Sequence, residues 1–254
     1  MEIGICCGPK ETVGLPAGAF DFLEVNVQSF LAPEKEEAEF RAQMEEGAIR
    51  PIKSANCFLP GKLKCVGPDV DMERLTRYAE TAFRRAAEAR MEVIVFGSGA
   101  ARMAPDGYAR ERAMEDFCGA LRCVGLIAQR HGLTVVVEPL NRKECNLVNS
   151  LAEGAEAVER CNHPNVRLLA DFYHMLMEGE PATEIARYGH MLGHTHVAEL
   201  AGRGFPGKGG EDFRPFFRAL RESSYKGRIA IECKWDDIGR DVEGSTRYLR
   251  EQMV

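Results

Sequence analysis

The chain has 254 residues, the size of one α/β barrel, so a single domain over residues 1–254 is expected. Its 45% hydrophobic and 28% charged residues are those of an ordinary globular protein, and its net charge of −6 argues against a broad nucleic-acid-binding face. No apolar run approaches the roughly 18 residues that a membrane-spanning helix needs.

The chain begins Met1-Glu2-Ile3-Gly4-Ile5-Cys6-Cys7, which has no basic leader and reads at once as a strand, so a cytoplasmic location is expected. The nine cysteines are odd in number and scattered through apolar segments. They read as reduced thiols serving mostly as small hydrophobes. Cys6 and Cys7 end the first strand, where alternation turns one of them inward.

Further strand-like segments follow, so that the set stands at 2–7, 21–27, 54–59, 92–97, 133–138, 166–171, 191–198 and 228–233. Helical patterns fill most gaps, at 34–46, 71–90, 109–130, 150–161, 212–222 and 241–251. Between the first two strands the gap is short and holds Pro16 and Gly18, leaving room for a helix of a turn or two. Ser150 with Glu153 three residues on forms a capping-box pattern, and Gly132 after Arg130-His131 reads as a helix stop. The glycine-rich stretch 202–210 reads as a site loop. Alternating βα units imply parallel strands with right-handed crossovers, and eight of them in this length imply a single closed (β/α)8 TIM barrel.

Four of the later strands end on a metal-binding residue. They are Val135-Val136-Val137-Glu138, Leu168-Leu169-Ala170-Asp171, His194-Thr195-His196 and Ile229-Ala230-Ile231-Glu232. In a barrel these ends share the carboxyl face, where side chains from successive strands meet. Each also has a plainer reading: a salt bridge from Glu138 to Arg142, a helix N-cap for Asp171, an ion pair from Glu232 to Lys234. His194, on the face of His196 but one layer deeper, reads as a hydrogen-bonded core histidine. Three carboxylates and one imidazole suit one divalent ion, Mn²⁺ first, with Mg²⁺, Co²⁺ or Zn²⁺ as alternatives. Such an ion with two glutamates beside it fits reversible proton transfer next to a carbonyl.

These segments, together with Asn56-Cys57-Phe58-Leu59-Pro60-Gly61, Val95-Phe96-Gly97-Ser98-Gly99, Glu138-Pro139-Leu140-Asn141-Arg142, Asp171-Phe172-Tyr173-His174 and Pro206-Gly207-Lys208-Gly209, resemble the xylose-isomerase-like TIM-barrel superfamily of sugar isomerases and epimerases over nearly the whole chain. In mechanism the chain is most similar to ketose 3-epimerases of the D-tagatose 3-epimerase type. The resemblance implies that Glu138, Asp171, His196 and Glu232 bind the ion and that Glu138 and Glu232 exchange protons with opposite faces of C3 through an enediolate. It implies substrate contacts by Glu144, His174 and Arg203, the last in a loop one residue longer than the family's. Cys6 and Cys7 stand where the family commonly places sugar-contacting aromatics.

The expected partner is a small-molecule sugar or sugar phosphate, with Arg203 and Lys208 as candidate phosphate contacts, and no nucleic acid or membrane. Homodimerisation is left open. The chain is short at its C-terminus, where the family's dimer contacts often lie. Alternatives are an aldose–ketose isomerase of the hydroxypyruvate isomerase kind and a keto-inositol dehydratase or lyase. More remote are an apurinic-endonuclease-like nuclease and a non-catalytic sugar-binding protein. The nuclease chemistry calls for histidines on early strands, whereas all six here lie between His131 and His196.

Overall fold

Runs such as Val93-Ile94-Val95-Phe96 and Val135-Val136-Val137 are buried on both faces, the condition of a parallel strand covered by helices. In a computed structural model, which describes residues 1–16, 18–45 and 50–254, eight such strands close into a barrel. They are β1 (Glu2–Cys6), β2 (Phe22–Asn26), β3 (Ile52–Asn56), β4 (Val93–Phe96), β5 (Thr134–Val137), β6 (Val166–Asp171), β7 (Leu192–Val197) and β8 (Arg228–Ile231). All pair in parallel and in chain order, and β1 returns to β8. Every expected strand is present. The third begins two residues earlier than expected and stops at Asn56, because Cys57 turns to a φ of 53° and leaves the ladder.

The expected helices form as α1 (Glu37–Glu45), α2 (Met72–Glu88), α4 (Arg110–His131), α5 (Leu151–Cys161), α8 (Arg214–Glu222) and α9 (Ile238–Gln252). Residue 46, the expected end of the first, lies outside the described residues. Between β1 and β2 the described residues form one 3-10 turn, Pro9–Thr12, as the short gap implies. Short helices that the periodicity did not suggest are α3 (Gly99–Arg102), α6 (Phe172–Glu178) and α7 (Thr183–Tyr188). Asp71 caps α2 by accepting the Arg74 N–H, and Gly132 ends α4 in the left-handed conformation at φ 71°. At α5 the cap differs in one arm from the expected box. Ser150 Oγ accepts the Glu153 N–H at 3.2 Å, but the Glu153 carboxylate reaches past Ser150 to the Asn149 N–H at 2.7 Å.

Most of the apolar core lies between the strands and the helical ring, in two large clusters. Inside the barrel, Val93, Val95, Val136 and Leu169 form a small apolar cluster of their own. Gly4 leaves room for the Phe22 ring, which a β-carbon there would meet at 2.3 Å. Above this floor the interior becomes polar, with Glu24, Ser54, His194 and His196 all at most 1% exposed. That change from apolar to polar places the site at the carboxyl ends of the strands.

Candidate metal and active site

Parallel register carries β6 and β7 upward together, so that Asp171 stands beside His196. Glu138 follows β5 directly and Glu232 follows β8. Barrel closure brings ligand atoms of Glu138, Asp171, His196 and Glu232 within 4.8 Å of one another. His196 Nδ1 lies 3.1 Å from Glu138 Oε1 and 3.4 Å from Glu232 Oε2. Asp171 serves twice. Its Oδ1 accepts the Tyr173 N–H at the start of α6, and its buried Oδ2 has no hydrogen-bond partner. The plainer readings of the glutamates do not hold: Arg142 pairs with Glu178, and Glu232 pairs with Arg203.

Gly97 is a close-approach position. A β-carbon there would fall 2.1 Å from Glu138 Oε2, so only glycine leaves space for this carboxylate. Behind it, the fully buried Arg102 donates to Phe96 O at 3.3 Å and Glu138 O at 3.0 Å, tying the ends of β4 and β5 together.

Glu24 is the principal site residue that sequence reasoning missed. It projects from β2 into the barrel and is 1% exposed. Its carboxylate is held by His194 Nε2 at 2.8 Å and by Ser54 Oγ at 2.6 Å, and lies 2.8 Å from His196 Nε2. Cys6 Sγ donates to it at 3.3 Å. His194 is thus a bonded core histidine, as its deeper layer suggested. His196 Nε2 faces Glu24 without a hydrogen bond to it, while Nδ1 turns to Glu138 and Glu232. The available signal was a lone glutamate interrupting the apolar run of β2. Asn56, at the end of β3, is a second omission, and donates to Glu232 Oε1 at 2.8 Å.

The remaining predicted residues line the same cavity. Glu144 Oε1 accepts from Asn141 Nδ2 at 2.9 Å, and the same amide also meets His174 Nδ1 at 2.8 Å. His174 Nε2 is buried without a hydrogen bond and faces Asp171 Oδ2 at 3.5 Å. Arg203 turns inward from its loop. It bonds Glu232, lies 3.5 Å from Glu144 Oε1 and 3.7 Å from Asp171 Oδ2, and stacks over the Tyr173 ring at 4.7 Å.

The 202–210 loop does not offer a free phosphate cradle. The buried carboxylate of Glu199 accepts the N–H groups of Gly207, Gly209 and Gly210, while Lys208 pairs with Asp236. Neither Arg203 nor Lys208 is therefore left unpaired for a phosphate.

Burial raises the Glu138 carboxyl, and the neighbouring Glu232 adds to this against the opposing pull of His196. For Glu232 burial also opposes ionisation, but His196 and Arg203 outweigh it and hold the group at about 2. His196, despite burial, is raised well above its usual range by Glu24 and Glu232. Three buried carboxylates, Glu24, Glu138 and Asp171, together with the partly buried Glu232, thus surround the His196 ring, an environment suited to positive charge. The fit to a divalent cation rests on three features: the mostly oxygen donor set, the unpartnered Asp171 Oδ2 and the space kept by Gly97.

The sequence matches the xylose isomerase-like TIM barrel family over residues 16–252, and the chain belongs to that family. Among curated relatives, 3-dehydro-D-guloside 4-epimerase of Escherichia coli is 33% identical over 134 residues, covering 52% of this chain and 51% of the relative. L-ribulose 3-epimerase of Methylomonas is 33% identical over 53% of this chain and 46% of its own. A putative hydroxypyruvate isomerase of Danio rerio is 32% identical over 48% and 46%. The matches therefore span about half the length of these relatives. Solved structures share the fold across nearly the whole chain. A structure of L-ribulose 3-epimerase gives a TM-score of 0.82 at 19% identity, covering 99% of this chain and 94% of the other. The 3-keto-D-glucoside 4-epimerase of E. coli gives 0.78 at 22% identity, covering 99% of each.

Proposed function

We propose that the protein is a divalent-metal-dependent sugar epimerase or isomerase working through an enediolate, with ketose C3 epimerisation by Glu138 and Glu232 as the leading reaction. The observation that carries this reading is the pair of glutamates flanking His196, with Glu138 Oε1 at 3.1 Å and Glu232 Oε2 at 3.4 Å from its Nδ1 within one four-donor cluster. The names of the similar proteins, epimerases acting on ketoses and on a dehydro-guloside, support the reaction class.

Glu138, Asp171, His196 and Glu232 would hold the ion, with Mn²⁺ the foremost candidate. When bound, it would supply Lewis acidity to a carbonyl and its neighbouring hydroxyl and so acidify the C–H between them. Glu232 is the base that removes that proton from one face, and Glu138 returns one from the other. The roles exchange in the reverse direction. Asn56 keeps Glu232 aimed by donating to Oε1. Arg203, Glu144 and His174 orient the sugar hydroxyls, and Arg203 also offsets charge as an enediolate develops.

Aldose–ketose isomerisation is the second reading, favoured by the similarity to putative hydroxypyruvate isomerases. Purified protein with Mn²⁺ in deuterium oxide, screened against a panel of ketoses, separates the two. Deuterium entering C3 with product mass otherwise unchanged is the expected result. Label at C1 or C2 with aldose formation would establish the isomerase, and loss of water would establish the dehydratase. No exchange into any sugar would overturn the reading.

A further inference from the structure

Two cavities meet at Cys57 and Glu232, both of which line each of them. One, of about 290 Å³, contains Glu138, Glu144, His174 and Arg203 and holds the proposed chemistry. The other, of about 330 Å³, continues from Glu232 across the ends of β1, β2 and β3. It has as much room as the reaction lobe, and the proposed reaction makes no use of it.

We propose that this second lobe binds a neutral substituent on the sugar, so that the substrate is a non-phosphorylated keto-sugar in glycosidic linkage to a second sugar or similar group. The proposal rests on the reading of the site as a sugar epimerase or isomerase and adds the substrate class. Three observations carry it.

The first is charge. No Lys, Arg or His lines the lobe among the described residues, and its ionisable carboxylates are Glu11, Glu24 and Glu232. A phosphate placed there would meet only like charge. At the other end of the site, Arg203 is already paired with Glu232, so a phosphate would have to break that contact. The second is the character of the wall. Asn26, Ser29 and Gln43 offer amide and hydroxyl groups beside the apolar surfaces of Pro9 and Phe30. That mixture matches the hydroxyls and C–H faces of a sugar ring. Cys7 and Cys57 add thiol surface to the same wall.

The third is the small size of the side chains on one wall of the lobe. Cys6, the last residue of β1, and Cys7, which follows it, both line the lobe, and Cys6 Sγ donates to Glu24. A larger residue in place of Cys7 would take up room inside the lobe.

Titration calorimetry on the Mn²⁺-loaded full chain tests the proposal with three stable probes: glucose, phenyl β-glucoside and glucose 6-phosphate. The glucoside is expected to bind at least about tenfold more tightly than glucose, and the phosphate no more tightly than glucose. Ser29→Trp, on the turn after β2, and Cys7→Phe, after β1, should each collapse the preference for the glucoside towards unity. Equal binding of glucoside and glucose overturns the proposal, as does preference for the phosphate, or a preference that survives both substitutions. The deuterium-exchange screen run alongside keeps the two readings apart. A tenfold glucoside preference without exchange into any sugar supports the lobe and overturns the epimerase reading. Exchange into ketoses without that preference does the reverse.

Discussion

Glu138, Asp171 and Glu232 carry similar carboxylates, yet their surroundings assign them different work. Glu138 is raised by burial, Glu232 is held at about 2 by His196 and Arg203, and Asp171 splits its oxygens between a helix cap and the site. Glu138→Gln and Glu232→Gln should therefore each lower deuterium exchange by about 10²- to 10⁴-fold, the usual worth of a proton-transfer group. Asp171→Ala should instead lose bound metal, read by elemental analysis after dialysis; full retention would remove Asp171 from the ligand set. Glu24 acts one shell out. Glu24→Gln keeps the shape but gives His194 and His196 a neutral partner. Affinity for Mn²⁺ should fall about 10- to 100-fold, and the ¹⁵N resonances of His196 should show a changed tautomer balance. Unchanged metal affinity and unchanged resonances would leave Glu24 a packing residue.

At the level of elements, the glycine-rich part of the loop after β7 is gathered round one buried carboxylate. Glu199 accepts from Gly207, Gly209 and Gly210, and the same loop presents Arg203 to the site. Glu199→Ala would strand four amides, those of Gly207, Gly209, Gly210 and Glu211, whose partner is charged, at a cost of roughly 1–3 kcal/mol per unsatisfied group if the loop kept its shape. Local opening is the cheaper outcome. Amide exchange at Gly207, Gly209 and Gly210 should accelerate while that of β7 stays slow. Protection equal to wild type would show that the loop is held by something else. The capping of α5 was readable only in part. Ser150 and Glu153 have the spacing of a reciprocal box, but which N–H the glutamate reaches depends on the path of the loop before it.

For the molecule as a whole, stability should depend on pH through Glu180. Burial, added to by Glu184 and Glu153, pushes its carboxyl up to about 7, despite the N–H that Leu151 donates to it. The unfolded chain ionises this group near its ordinary value of 4.5. Below that value both states hold the proton and the group costs nothing. Between 4.5 and about 7 the unfolded state releases the proton first, so stability falls as pH rises and then levels off. Glu180→Gln keeps an acceptor for Leu151 and removes the titration. Its Tm should match wild type near pH 4.5 and exceed it increasingly up to pH 7. A constant difference across that window would contradict the assignment.

The alternation of strand and helix, the barrel it implies and the four strand-end donors were legible because each is local. Side-chain period, caps and the last residue of an apolar run are written within a few positions. The partners of those donors were not, because they come from far along the chain. Glu24 and His194 are 170 residues apart, and Asn56 and Glu232 are 176 apart. A buried arginine such as Arg102 gives no local sign that it will tie the ends of two strands together. Sequence alone determined the repeating unit and the residue types at the strand ends. Only closure of β8 onto β1 decided which carboxylates face one another, and that a second lobe lined by no Lys, Arg or His among the described residues opens beside Glu232. Those properties depend on distances between strands, and a linear pattern sets no distance until the barrel is closed.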